Sequence, residues 1–144
     1  MDAVRQKQPF EIELDLPVKT YDIDFAGVVS NIVYVRWLED LRLEMLVRHF
    51  PLDDQLKQGI APVIVQTKID YKLPIRISDH PSGKMWIKTM ETLRWRVNAE
   101  ITVNGKIAAL GEQVGLFIDL KNRKPIRMPN RLKQKYHELI ASVA

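Results

Sequence analysis

Residues 21–46 read YDIDFAGVVSNIVYVRWLEDLRLEML, and from Ser30 onward this stretch carries the longest helical pattern of the chain. Arg36, Asp40, Glu44 and, just beyond, Arg48 recur every four residues and mark one narrow polar stripe. Tyr34, Val35, Trp37, Leu38, Leu41, Leu43, Met45 and Leu46 fill most of the remaining circumference. So wide an apolar arc implies a helix from about Ser30 to His49 that is covered on several sides. Pro51 forbids its continuation.

The flanking segments have the period of strands. Upstream, Phe10, Ile12, Leu14, Leu16 and Val18 alternate with Glu11, Glu13, Asp15, Pro17 and Lys19, and Pro17 marks an edge or bulged strand. Downstream, Val63, Val65, Thr67, Ile69 and Tyr71 alternate with Gln66, Lys68, Asp70 and Lys72. A strand from about Trp86 to Arg94 follows the turn segment HPSGK. Val97, Ala99, Ile101 and Val103 lead into Asn104-Gly105, a dipeptide suited to a tight hairpin. A long strand from about Ile107 to Asp119 contains Gly111 and Gly115, signs of a bulge or a close approach. Pro129 and Asn130 then open a short C-terminal helix with Leu132, Tyr136, Leu139 and Ile140 on one face. The order predicts an α+β fold, a mostly antiparallel five-stranded sheet with one long central helix. Such a sheet has an edge to cover, so a homodimer is expected.

The 144 residues suit one domain, read here as residues 1–144. Hydrophobic residues at 46% and charged residues at 28% exclude a largely disordered chain. No apolar run approaches the length of a membrane span, and MDAVRQKQPFEIEL lacks the apolar core of a secretory leader. With no cysteine there is no disulfide framework, and a cytoplasmic protein is expected. The net charge of +4 suits an anionic partner, either a nucleic acid or a phosphate-rich small molecule. Its one local cluster, Lys121, Arg123, Lys124 and Arg127, reads most simply as a solvated surface.

Several chemistries fall away. None of the four serines sits in a nucleophile-elbow frame. His49, His80 and His137 lack the paired spacing of a metal site, and neither common glycine-rich phosphate loop is present. Carboxylate chemistry remains. Asp22 and Asp24 stand between a strand and a helix, just before Ala26-Gly27. Two readings of this pair stand: a carboxylate facing a substrate over the helix start, or one that merely solvates a turn.

The same stretch resembles the opening of the 4-hydroxybenzoyl-CoA thioesterase-like family of hot-dog proteins. The shared features are an acid two residues before Ala-Gly, then Val-Val, a tyrosine in the first turns of the helix, Trp-Leu-Glu, and Arg and Glu downstream. QTKIDYKLPIR, the segment Glu91 to Arg96 and the ending FIDLKNRKPIRMP agree more loosely. The resemblance implies a hot-dog fold, the sheet wrapping the long helix, in a homodimer or homotetramer. It implies hydrolysis of an acyl or aroyl CoA thioester without a metal or redox cofactor. With no recognition motif and no membrane-length apolar run in the sequence, neither nucleic acid nor membrane is expected as a partner.

By matching position, Asp24 and not Asp22 is the catalytic carboxylate, acting as nucleophile or as general base on a water. The backbone N–H at about Asn31 holds the carbonyl oxygen, which agrees with the unpaired donors and partial positive charge of a helix start. Gly27 lets the loop approach the substrate and Tyr34 lies at the substrate site. Arg94 and Arg96 are candidates for the phosphates of coenzyme A, and both also read as ordinary exposed strand arginines. Several relatives carry Tyr-His where this chain has Ser30-Asn31, so Asn31 also reads as a helix cap. Glu39 matches a family glutamate, and it also reads as an ion-pair partner of Arg42.

Four rivals remain, of which nucleic-acid binding has the basic charge but no recognition motif. His49-Phe50-Pro51 is similar to a tripeptide of hot-dog dehydratases, but here it ends the long helix and Leu52 replaces the glycine expected next. A non-catalytic acyl-CoA-binding module would keep the pocket and have no use for Asp24. An acyl-carrier-protein thioesterase would share the chemistry and differ in the handle.

Overall fold

The computed structural model describes residues 8–143. The reading of the N-terminal segment as free of a leader falls partly on residues 1–7, outside the described residues. Element order is β1 (Ile12–Asp15), α1 (Asn31–His49), α2 (Leu52–Lys57), β2 (Ile60–Tyr71), β3 (Ser82–Met90), β4 (Arg94–Val103), β5 (Lys106–Asp119), β6 (Pro125–Ile126) and α3 (Asn130–Val143). All pairings are antiparallel, in the order β1-β3-β4-β5-β2, with β6 paired to β5. The sheet wraps α1 in the expected hot-dog arrangement.

The long helix forms where its pattern predicts. It ends as the Phe50 N–H bonds the Leu46 carbonyl at 2.9 Å, and Pro51 then starts α2. Val33, Tyr34, Trp37, Leu38, Leu41 and Met45 are its buried residues, one stripe at helical spacing. Burying a side chain such as Leu41 completely contributes roughly 1.5–3 kcal/mol. In contrast to the expectation of cover on several sides, Ile32, Leu43 and Val47 on the other face are exposed in the single chain.

Several expected boundaries shift. β1 is shorter than Phe10–Val18 because Phe10 adopts φ 58° and Pro17 cannot donate to a ladder; it is an edge strand, as Pro17 implies. Three elements were not anticipated: a single 3-10 turn at Thr20–Asp22, α2, and the two-residue β6, which makes the sheet six-stranded. β3 starts at Ser82, inside the segment read as a turn. Its chain reverses where Glu91 N–H bonds the Arg94 carbonyl at 2.8 Å, so β4 begins at Arg94 and the segment Glu91 to Arg96 is a turn plus strand. In β2, Ile64 pairs with Gly115 and Gln66 with Val114, leaving Val65 as a bulge. The bulge breaks the expected alternation: Ile64 packs toward the core and Val65 is half-exposed.

The core has two ends. Val29, Val33, Tyr34, Trp37, Ile75 and Ile101 pack around the first half of α1. Met45, Phe50, Met90, Trp95, Phe117 and Leu132 pack around the second half, the last of these contributed by α3.

Candidate active site

Asp22 and Asp24 part company in the loop before α1. Asp22 is buried, and its Oδ2 accepts the Lys19 N–H at 2.9 Å. Its carbonyl accepts the Ser30 N–H at 2.8 Å, which fixes the approach to the helix. Asp22 is therefore a structural group of the turn.

Asp24 is only half-buried. Residues 23–29 form a tight hairpin closed by the Ile23–Val29 bridge and by Asp24 N–H to the Val28 carbonyl at 2.9 Å. Within it Asp24 Oδ1 accepts the Ala26 N–H at 2.8 Å and, more loosely, the Val28 N–H at 3.5 Å. This clamps the carboxylate by one oxygen and leaves Oδ2 without a hydrogen bond among the described residues. Gly27 has φ 78°, which the turn demands, while a Cβ there would meet nothing within 4 Å. Its glycine serves backbone conformation, and no crowding in the single chain requires it.

The helix starts four residues after Gly27. Ser30 is the N-cap residue, without a side-chain cap bond, so Asn31 is the first helical residue and not the cap. The N–H groups of Asn31 and Ile32 find no acceptor among the described residues, as expected of a first turn. The Asn31 carbonyl accepts the hydroxyl of Tyr71 on β2 at 3.3 Å, which ties the helix start to the sheet. Tyr34 stands edge-on to Tyr71 with ring centroids 5.0 Å apart. Only 2% of Tyr34 is exposed, so in the single chain it supports Tyr71 from the core and has no face open to a substrate. Burial, with a smaller push from Tyr71, raises the Tyr34 pKa above the ordinary tyrosine value. Around Asp24 the surface is open: Phe25 is fully exposed and Ile32 is 66% exposed.

Arg94 and Arg96 lie elsewhere. Their neighbours Trp95 and Val97 turn into the core, so both arginines occupy the opposite face of the sheet. Along β4, Trp95 belongs to the far core and Ile101 to the near one, a separation of about 20 Å at ~3.3 Å per residue. Arg94 is exposed, and Arg96 sits 3.8 Å from Glu91 and 3.7 Å from Glu112. Within one chain the structure does not bring these arginines to Asp24.

Two groups not singled out in the sequence join the neighbourhood of α1. Tyr71 is one. The other is a polar line in which Arg42 Nη1 donates to Gln113 Oε1 at 2.8 Å and Gln113 Nε2 donates to Thr67 Oγ1 at 3.1 Å. Gln113 is buried, so these bonds satisfy an amide that would be costly unpaired. Burial lowers the Arg42 pKa, and Glu39 opposes that only through space; the expected ion pair gives way to Gln113. A polar residue at an inward strand position was the available signal for Gln113.

Among the described residues no three His, Asp or Glu side chains converge as a metal site. No described helix is long and apolar enough to cross a membrane.

A family model described as the thioesterase-like superfamily matches residues 18–136. The chain belongs to that superfamily. It is 23% identical over 131 residues to the long-chain acyl-CoA thioesterase FadM of Escherichia coli K12, covering 90% of this chain and 99% of that one. The solved DHNA-CoA thioesterase of Staphylococcus aureus superposes with a TM-score of 0.77 at 27% identity, over 92% of this chain and 89% of that chain. A thioesterase of Thermus thermophilus complexed with coenzyme A and Zn shares the fold, with a TM-score of 0.79 at 24% identity over 94% and 98% of the two chains. The fold is thus the hot-dog fold of thioesterases, and the superfamily assignment makes the chain a thioester hydrolase.

Proposed function

We propose that this thioesterase-like chain hydrolyses an acyl- or aroyl-CoA thioester to the free acid and coenzyme A, with Asp24 as the reacting carboxylate. The observation that carries this reading is the clamped Asp24, with Oδ2 unengaged, beside a helix start whose Asn31 and Ile32 N–H groups are unpaired. The thioester carbonyl oxygen accepts from Asn31 N–H, where the helix dipole adds positive potential to an oxyanion. Asp24 Oδ2 then follows one of two balanced routes. It attacks the carbonyl carbon and expels the CoA thiolate, and water cleaves the resulting anhydride; or it takes a proton from water as that water attacks the carbonyl carbon, and collapse of the tetrahedral adduct breaks the C–S bond and expels the CoA thiolate, which receives the proton. Ala26 and Val28 N–H hold the other oxygen through either route.

The working unit in this reading is a homo-oligomer, a dimer or a tetramer. The open surface around Asp24 and the exposed Phe25, Ile32, Leu43 and Val47 support a second subunit closing the site. If Arg94 and Arg96 hold CoA phosphates, the geometry of one chain requires them to serve the site of another subunit.

The reading is tested by offering the purified protein short, medium, long and aromatic acyl-CoAs and following released thiol. Turnover of at least one class is expected. Tight binding of these ligands with no thiol released from any of them would instead favour a non-catalytic binding module.

A further inference from the structure

The end of β2 holds the candidate active site at two points. Through the backbone, the Val29 N–H bonds the Ile75 carbonyl at 2.8 Å and moors the Asp24 hairpin to the segment after β2. Through a side chain, the Tyr71 hydroxyl donates to the Asn31 carbonyl at 3.3 Å. The backbone bond already joins loop to strand, and the side-chain bond adds something that it does not supply.

Tyr71 has its phenol held in place from behind. The Lys72 and Leu73 N–H groups both bond the Ala108 carbonyl, at 2.8 and 3.0 Å, and fix the strand end. The Tyr71 ring stands edge-on to Tyr34, and Tyr34 stands edge-on to Trp37 with centroids 5.3 Å apart. Tyr34 and Trp37 are buried, so this aromatic row anchors Tyr71 in the core while 45% of it remains exposed at the site. A hydroxyl so exposed can bond water instead, and its bond to Asn31 adds little to the stability of the fold.

The acceptor points to another use. The Asn31 carbonyl belongs to the same conjugated peptide group as the Ile32 N–H. It accepts the Val35 N–H as part of α1, and Tyr71 adds a second donor. The Ile32 N–H is one of the unpaired donors of the first turn. A donor on the carbonyl draws electron density through the amide and strengthens its N–H as a donor, by roughly 10–30% per bond in a chain. The effect runs both ways: an oxyanion on the Ile32 N–H makes the Asn31 carbonyl a better acceptor. At 3.3 Å the Tyr71 bond is longer than the ~2.5–3.0 Å usual between two oxygens, so it has room to tighten at that moment. A bond that strengthens as the oxyanion forms raises kcat and leaves KM alone.

We propose that Tyr71 is a positioning residue of the thioester site. Through the Asn31 carbonyl it orients and polarises the Ile32 N–H, which joins the Asn31 N–H as a second donor to the developing oxyanion. This rests on the thioesterase reading of the Asp24 site.

The test is Tyr71→Phe, which keeps the ring and its contact with Tyr34 and removes only the hydroxyl. Steady-state hydrolysis of an acyl-CoA that the wild type accepts is compared with binding of the matching alkyl-CoA thioether, which has no carbonyl. The expected result is a fall in kcat of about 3- to 10-fold, the scale of one hydrogen bond, with KM and thioether affinity unchanged. An unchanged kcat overturns the proposal. So does a raised KM or a weakened thioether, since Tyr71 would then shape the cleft for any ligand. A variant that fails to fold makes the hydroxyl a structural requirement and overturns the proposal too. A wild type that hydrolyses no acyl-CoA is a different failure: it refutes the thioesterase reading itself, and the role of Tyr71 falls with it.

Discussion

At the scale of single residues, the two carboxylates of one short motif divide by environment. Asp22 has lost its water and gained the Lys19 N–H; Asp24 keeps one oxygen for the turn and one for solvent. Asp22→Ala would remove the carboxylate from that part-buried donor and is expected to cost about 1–3 kcal/mol. In a domain of this size that is a fall of several degrees in melting temperature, measurable by calorimetry. An unchanged melting temperature would remove Asp22 from the turn's support. The spacing of the two acids does not distinguish these fates, since either could solvate a turn. Resemblance selects Asp24, and the burial of Asp22 explains why the other acid is there. The Tyr71 hydroxyl on Asn31 was not legible, because it joins residues 40 positions apart through a strand register that only folding creates.

At the scale of elements, the long helix and the Asn104-Gly105 hairpin are where local chemistry is strongest, and both form as expected. Asn104 at φ 52° and Gly105 at φ 76° adopt the positive angles that the tight turn needs. The five main strands were legible in order more than in extent, and the two-residue β6 was too short to show a period. The bulge at Val65 shifts which residues of β2 face inward, and a strictly alternating reading cannot anticipate an inserted residue. α2 escaped notice because it is six residues long, although Asp53 and Asp54 at its start and Lys57 at its end complement its dipole.

The two glycines of β5 give a contrast at the same scale. A Cβ on Gly115 would overlap the ring of Trp95, whereas one on Gly111 would meet the flexible end of Leu38 at 3.0 Å. Gly115→Ala is expected to destabilise by about 1–3 kcal/mol, as overpacked cores do, and Gly111→Ala by clearly less. Urea unfolding of the two variants beside wild type checks the order; equal losses would mean that Trp95 yields as easily as Leu38.

At the scale of the molecule, the single chain is unfinished on one side. Among the described residues the long edge strand β2 pairs with β5 alone, and α1 exposes Ile32 at 66%, Leu43 at 42% and Val47 at 68%. The sheet wraps one face of α1 and leaves this stripe uncovered, which strengthens the expectation of self-association. The protein is expected to sediment as a dimer or tetramer at micromolar concentration, and the double change Leu43→Glu with Val47→Glu to shift it toward monomer. A wild type that stays monomeric would require the exposed stripe to have another occupant.

The most direct test of catalysis by Asp24 is single-turnover hydrolysis by Asp24→Asn beside wild type, using an acyl-CoA that the wild type accepts and measuring binding of that ligand separately. A loss of at least about 100-fold in the rate of thiol release, with binding retained, is expected of a catalytic carboxylate. Hydrolysis at the wild-type rate would contradict it and return Asp24 to the turn that it closes.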